Sequence, residues 1–391
     1  MTLPEVHAFL WSLVRQGPGR AVAAPDRNDP IWPGLIDQSL AQGLLPVLHQ
    51  WSLTPGGKRR IPSELRMQIA EDVARMTATN LVLAEELRAI LTRCRDRGLA
   101  CVPLRGLALA EQLHGPGALR PTGDIDLLLR RSDLPAMTEL LTGLGYAVME
   151  HRPGFAGTFS YTLEFVKDRH GWIVVEPHWT LAYPPFTEAL DMEQAWSRCR
   201  KGRVAGITTW LLGDEDLLVH LCCHILHQGN QAPLLWWVEL DRLIRRTQSR
   251  LRWDLIVAIA GQSGQSFLVS EVLQALRDRF QSPIPQSTLS RLAAESSEAP
   301  LTTLLVHAPG LNGREEFAQF LSLPGFRARL RYAIGLLCPA PDYMIRRYGV
   351  RGRTGLGIAY VGRLFHLFRE GLRWTGSLLN AACSAKAPIV R

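Results

Sequence analysis

Two aspartates one residue apart, Asp124 and Asp126, stand in the run Gly123-Asp124-Ile125-Asp126-Leu127-Leu128-Leu129. In a strand, residues i and i+2 share a face. Both carboxylates then project together, roughly 6–7 Å apart at Cα, and Ile125 and Leu127 turn to a core. Adjacent carboxylates repel unless a cation lies between them. Hard oxygen ligands suit Mg²⁺ or Mn²⁺, which keep positions open for water and phosphate oxygens. Gly123 leaves out a side chain where a phosphate would approach. A third acid ends the apolar run Trp172-Ile173-Val174-Val175-Glu176. A lone charge at the end of a buried strand is costly, so Glu176 is expected to join the aspartates. Such a three-carboxylate cluster can hold metal that activates an attacking oxygen and supports a triphosphate. Arg105 and Arg120 could each clamp a phosphate or neutralise the acids, and Gly106 allows a tight strand-to-helix turn.

The motifs Leu104-Arg105-Gly106, Arg120-Pro121, Gly123-Asp124-Ile125-Asp126-Leu127-Leu128, Glu176-Pro177-His178-Trp179 and His220-Leu221-Cys222-Cys223-His224 extend this pattern. In them the chain resembles the uncharacterised bacterial nucleotidyltransferase family of the DNA polymerase beta-type nucleotidyltransferase superfamily, from about residue 35 to 250. The resemblance implies transfer of a nucleoside monophosphate from an NTP, with ATP the first candidate, to an acceptor, with Mg²⁺ and release of pyrophosphate. It implies that Asp124 and Asp126 ligand both metals and that Glu176 ligands the catalytic one and helps activate the acceptor. Gly106-Leu107 departs from the Gly-Ser or Gly-Gly of the superfamily, and Arg105 stands where the related family often has Lys.

Other residues stay open between two readings. His178 shares the face of Glu176 if the strand runs through Pro177, and it is then a substrate contact. His220, His224 and His227 lie at i, i+4 and i+7 of a helix, a legitimate metal spacing. Leu217, Leu218, Leu221 and Leu226 around them favour half-buried histidines beside the site, with His224 as a nucleotide or acceptor contact. Trp236 and Trp237 read as packing residues.

The elements that must position these residues form an α+β fold: a small mixed-sheet nucleotidyltransferase domain flanked by N-terminal helices and a C-terminal helical region. Residues 1–98 read as helical, broken at Gly17-Pro18-Gly19 and Pro55-Gly56-Gly57. A long helix runs from about Pro62 to Arg97, with Ser63 as its cap and Leu65, Ile69, Val73, Met76, Leu81, Leu83, Leu87 and Leu91 on one face. Residues 99–213 form the catalytic domain. Strands are expected at Ala100–Leu104, Ile125–Leu129, Tyr146–Glu150, Phe159–Val166, Trp172–His178 and Ile207–Leu212. Helices are expected at Leu107–Leu113 and Leu134–Leu144, and a hairpin turn at Asp168-Arg169-His170-Gly171. Residues 214–391 are helical again, at Asp214–His227, Leu234–Arg246, Phe326–Leu337 and Leu356–Trp374, with breaks at Pro283, Pro285, Pro300 and Pro309. Gly352–Gly357 reads as a turn before the last helix.

Charge narrows the partners. The 391 residues carry 44 Lys+Arg and 36 Asp+Glu, a net of +8. Twelve of the basic and two of the acidic residues lie in 326–391, so residues 1–325 are close to neutral. A nearly neutral body disfavours long nucleic acid and points to an NTP and a small-molecule, peptide or protein acceptor. The basic segment is expected either to dock its last helix on the core or to meet an acidic partner or membrane surface. No apolar run is long enough to cross a bilayer. The odd set of seven cysteines, without a CxxC pair, fits a reduced, cytoplasmic setting. Two other functions stay in view: a non-catalytic nucleotide-binding scaffold, and a metallohydrolase built on the histidine helix.

Overall fold

A computed structural model of the chain describes residues 3–16, 24–114, 120–169, 171–184, 186–228, 232–296 and 314–384. Gly17, Pro18, Gly19, His170, Pro300 and Pro309 lie outside them. Helices α1 (Leu3–Gln16), α2 (Trp32–Ala41), α3 (Leu45–Ser52) and α4 (Pro55–Arg60) lead into the long helix α5 (Ser63–Asp96). Pro55-Gly56-Gly57 thus opens a helix where a break was expected. Thr54 caps it, accepting from Gly57 N–H at 3.1 Å, and Pro55 fits the first turn because its missing N–H would have no partner there. Ser63 is the first helical residue of α5, not its cap. On α5, Ile69, Val73, Leu83, Leu87 and Leu91 are buried, but Leu81 is exposed, because the apolar stripe drifts around a helix of this length.

The sheet contains β1 (Val102–Pro103), β2 (Asp124–Leu128), β3 (Ala147–Met149), β4 (Glu164–Asp168) and β5 (Trp172–His178), in the order β1-β2-β5-β4-β3. Only β2 and β5 pair in parallel; the other neighbours are antiparallel. Helix α6 (Gly106–His114) follows β1, α7 (Leu134–Gly143) follows β2, and a short α8 (Phe155–Phe159) precedes β4. The predicted strand Phe159–Val166 is therefore helical at its start and extended only from Glu164. Pro177 explains why the β4–β5 ladder is interrupted before the bridge of Thr162 with His178. It accepts from Leu163 N–H at 3.1 Å but has no N–H to return. On the other side β5 keeps bonding to β2 past the proline, His178 O accepting from Leu129 N–H at 2.9 Å, so the strand reaches His178.

Alternation along β2 divides two cores. Ile125, Leu127 and Leu129 pack with α5, α7, Ile173 and Val175. Leu128 joins the opposite core, built mainly from α10 (Asp214–Gln228), α11 (Leu234–Thr247), α12 (Trp253–Gln262), α13 (Ser266–Ala275) and α14 (Gln286–Glu295). Asp124 and Asp126 share the face of Leu128 and so point toward α10. A hairpin of β6 (Arg200–Val204) and β7 (Ile207–Leu211) lies apart from the main sheet, after the short α9 (Met192–Ser197). Its β6 strand was not expected.

After α14 the described chain resumes with α15 (Arg314–Ser322), α16 (Gly325–Leu337), α17 (Pro341–Tyr348) and α18 (Gly352–Ser384). Gly352–Gly357 is the first part of α18, not a preceding turn. Nor does α18 bury its apolar face. Ala359 is buried, Tyr360 donates to Pro339 O at 2.6 Å, and Arg363 donates to Leu336 O at 2.8 and 3.0 Å, but Ile358, Val361, Leu364, Phe365 and Phe368 remain exposed. Among the described residues no helix is long and apolar enough to cross a membrane.

One buried ion pair ties the approach to β2 to the helical core. Arg120 Nε and Nη2 donate to Glu239 of α11 at 2.6 and 3.1 Å, with both side chains almost wholly buried. Removing one member leaves an uncompensated buried charge. Glu239→Ala is expected to cost about 3–5 kcal/mol, read from the urea unfolding midpoint. A loss below about 1 kcal/mol would class the pair with surface ion pairs and contradict this account.

Candidate active site

The parallel register sets Asp126 of β2 beside Glu176 of β5, with Asp124 beside Val174 and Leu128 beside His178. Asp126, Glu176 and His178 each offer one ligand atom within 4.8 Å of the other two. Among the described residues no other group of three acids, histidines or cysteines does so. Asp124 lies on the same face but outside that set. Burial, together with the charge of Asp126, pushes the Asp124 carboxyl up to about 6, and Arg105 offsets only part of this.

Asp126 is closely compensated. Arg105 holds it with a fork, Nη2 to Oδ1 at 2.7 Å and Nε to Oδ2 at 3.0 Å, and His178 Nε2 lies 3.0 Å from Oδ1. Burial alone would raise the Asp126 carboxyl; Arg105 and the bond from His178 outweigh it and hold it well below the usual carboxylate range. His178 responds in the opposite direction. Its burial opposes charging, but Asp126 and Glu176, the latter 3.7 Å away, lift its pKa above the ordinary value. Glu176 is the more open carboxylate, with 28% of its side chain exposed against 4% for Asp126.

Arg105 lies just past β1, where Leu104 N–H still donates to Asp126 O at 3.1 Å. Its Nη1 donates to Tyr183 Oη at 3.1 Å and lies 2.7 Å from His224 Nε2. Burial and then the Arg105 charge keep His224 well below its ordinary pKa, and the same causes hold His220 near 3. Both are neutral rings that partner the guanidinium and the backbone, His220 Nδ1 meeting Leu181 O at 2.9 Å. Trp236 packs on the His224 ring, with centroids 4.0 Å apart. The histidine helix is thus not assembled as a metal centre, and the metallohydrolase reading loses its basis.

Gly106 has φ +56°, and an added Cβ would lie 3.0 Å from the Thr122 methyl. Gly123 has no atom within 4 Å of the same position, so there is open space beside the aspartates. Of the predicted residues, the structure brings together Asp124, Asp126, Glu176, His178, Arg105 and His224. Arg120 is directed elsewhere, to Glu239 and to Pro121 O. Tyr183 and Glu239 were missed. Tyr183 lies in a proline-flanked loop without periodicity, and Glu239 is one of two acids on a basic amphipathic helix.

The site places a carboxylate array, one fixed guanidinium and free space on one sheet face. The sequence profile of the family described as "Uncharacterised nucleotidyltransferase" matches residues 28–281. The chain belongs to this nucleotidyltransferase family. The match contains every element that supplies the cluster, from β1 to α11, and ends before α14. No curated protein and no solved structure matches the chain.

The two site glycines differ in what they require. Gly106→Ala is expected to lose about 1–2 kcal/mol through its left-handed backbone, and Gly123→Ala less than about 0.5 kcal/mol. Thermal unfolding of the two variants compares them, and equal losses would refute the assigned conformations.

Proposed function

We propose that the chain transfers a nucleoside monophosphate from an NTP, with ATP the first candidate, to an acceptor hydroxyl, with Mg²⁺ or Mn²⁺ as the divalent ion. The supporting observation is the register that sets Asp126 beside Glu176 with Asp124 on the same face, in a chain of the nucleotidyltransferase family. The donor set suits such an ion. Asp124, Asp126 and Glu176 lie on one sheet face, and burial, followed by the charge of Asp126, raises the Asp124 carboxyl despite Arg105 and Arg120. These three carboxylates would hold it, and when bound it would neutralise phosphoryl charge and acidify the attacking hydroxyl.

The protein's own groups then have distinct roles. Arg105 and His178 fix the Asp126 carboxylate in one orientation. Glu176, more open than Asp126, receives the acceptor proton. The acceptor oxygen bonds to the α-phosphorus as the bond from that phosphorus to the bridging oxygen breaks, and pyrophosphate departs with the electron pair. The open space at Gly123 admits the phosphates, and Gly106 brings Arg105 to the aspartates. A cytoplasmic setting is proposed from Cys94, Cys101, Cys199, Cys222, Cys223 and Cys338, none of which is in a disulfide.

One observation favours a second reading. Both oxygens of Asp126 are already bonded by Arg105, as suits a scaffold that binds nucleotide without turnover. Pyrophosphate release and mass spectrometry of acceptor mixtures separate the two. Turnover should need a divalent ion and fall at least about 100-fold in Asp126→Asn and Glu176→Gln, with a product heavier by one nucleoside monophosphate. Tight NTP binding with no turnover in any mixture selects the scaffold, and a gain of a single phosphate contradicts nucleotidyl transfer.

The C-terminal helices support a further partner. Eleven of the sixteen exposed large apolar residues among the described residues lie between Phe326 and Phe368, on α16, α17 and α18. Residues 326–369 hold nine arginines and one acid, Asp342. An apolar face rimmed by arginines suits an anionic lipid surface. The protein is expected to sediment with vesicles containing phosphatidylserine and not with pure phosphatidylcholine, and to lose this in Phe365→Ser/Phe368→Ser. Indifference to lipid charge would leave an acidic protein as the partner of this face.

A further inference from the structure

Beyond Glu176, away from Asp126, the structure holds a cavity of about 280 Å³. The sheet supplies Glu176 and Glu164, and α8 supplies Phe155. The roof comes from outside the matched family region: Tyr332 on α16 and Tyr343 and Arg347 on α17.

Glu164 carries the argument. The pairs Phe165↔Val175 and Thr162↔His178 bracket it and set it directly opposite Glu176 on the same sheet face. Like charges in opposed cross-strand positions destabilise a sheet. Glu176 is accounted for by the carboxylate cluster. Glu164 is half-buried, yet it makes no ion pair and accepts no hydrogen bond among the described residues, although Arg347 lines the same cavity. Phe155, Phe159, Tyr161, Tyr332 and Tyr343 give the cavity an aromatic part, beside aliphatic and polar residues. Phe155 stacks on Tyr332, with centroids 5.5 Å apart and planes at 19°, and ring faces attract cations. A half-buried carboxylate with no ion pair or hydrogen bond, acted on by the Arg347 charge without pairing with it, suits an ammonium group when aromatic rings lie beside it. The volume lies just below the usual range for drug-sized ligands, which limits the occupant to a small molecule rather than a protein segment.

We propose that this cavity is the acceptor pocket and that it takes a small hydroxylated amine, with its ammonium on Glu164 and its hydroxyl toward Glu176. The word acceptor rests on the nucleotidyl-transfer reading; the amine site does not. In the transfer the hydroxyl oxygen forms the new bond to phosphorus, its proton goes to Glu176, and pyrophosphate leaves, while the ammonium stays protonated.

The test measures binding to the full chain without nucleotide or metal. Three matched probes, tyramine, 4-ethylphenol and 4-hydroxyphenylacetate, are titrated and followed by saturation-transfer NMR. Tyramine is expected to bind at least about tenfold more tightly than the neutral or anionic probe, and Glu164→Gln to remove that preference. Asp126→Asn should keep tyramine binding even where it abolishes pyrophosphate release, so failure of the transfer reading stays distinguishable. Equal binding of the three probes, a preference unchanged in Glu164→Gln, or no binding at millimolar concentration overturns the amine pocket. Tyramine binding retained in full by Tyr332→Ala would show that it lies elsewhere and has the same consequence.

Discussion

The structure turns on a row of like charges laid across three neighbouring strands. The parallel register puts Asp126 beside Glu176, and the antiparallel one puts Glu164 on the other side of Glu176. Opposed carboxylates at cross-strand distances repel, and within the sheet His178 at the end of β5 is the basic partner that reaches both Asp126 and Glu176. A further counter-charge comes from outside the sheet, from the turn after β1. Gly106 adopts a left-handed conformation there that other residues enter at a cost, and Arg105 just before it reaches the first carboxylate with both arms of its fork. The guanidinium thus links the end of β1 and the start of α6 to Tyr183 and to His224 on α10.

Compensation falls off along the row. Asp126 has Arg105 and His178 and is nearly closed to solvent. Glu176 shares His178 only at 3.7 Å and is partly open. Burial, followed by the charge of Glu176, raises the Glu164 carboxyl above its usual value, and Arg347 offsets part of this. One end of the row is therefore held in place by fixed partners, and the other is the less compensated. The same guanidinium explains the histidines of α10. Burial, and then the Arg105 charge, keeps His220 and His224 uncharged, and the His224 ring is engaged by that guanidinium.

Much of this was legible in the residues. A β-branched run ending in an acid identified β5 to its last residue, and alternation identified β2 with its two carboxylates on one face. What escaped has physical causes. Strand β6, Arg200-Lys201-Gly202-Arg203-Val204, is mostly exposed and charged, so it shows no apolar alternation; it exists because Gly202 lets Leu211 of β7 close onto it. The α8 helix is a single short turn after Gly154, whose positive φ is invisible in composition. Glu239, Tyr183 and Glu164 were hidden for a different reason. Each matters only through a partner far along the chain, and no local pattern records which of many acids will face Arg120 or Glu176.

The basic C-terminal segment shows how one stretch of sequence can serve two surfaces. On α16, Tyr332 and Gly335 face inward. Gly335 packs so closely on Phe155 that an added Cβ would lie 2.2 Å from its ring. Phe326, Leu330, Ile334 and Leu337 of the same helix are exposed, as are Ile358, Val361, Leu364, Phe365 and Phe368 of α18. The inner residues roof the cavity beside Glu176, and the outer ones form the arginine-rimmed apolar face. Three bonds from α18, those of Tyr360 and Arg363 to the carbonyls of Pro339 and Leu336, clamp α18 to the segment that carries both. A net charge that looked like a property of the whole chain thus belongs to helices that lie beyond the matched family region. Because one rigid helix carries both faces, whatever holds the outer face also fixes the position of Tyr332 above Glu164 and Glu176.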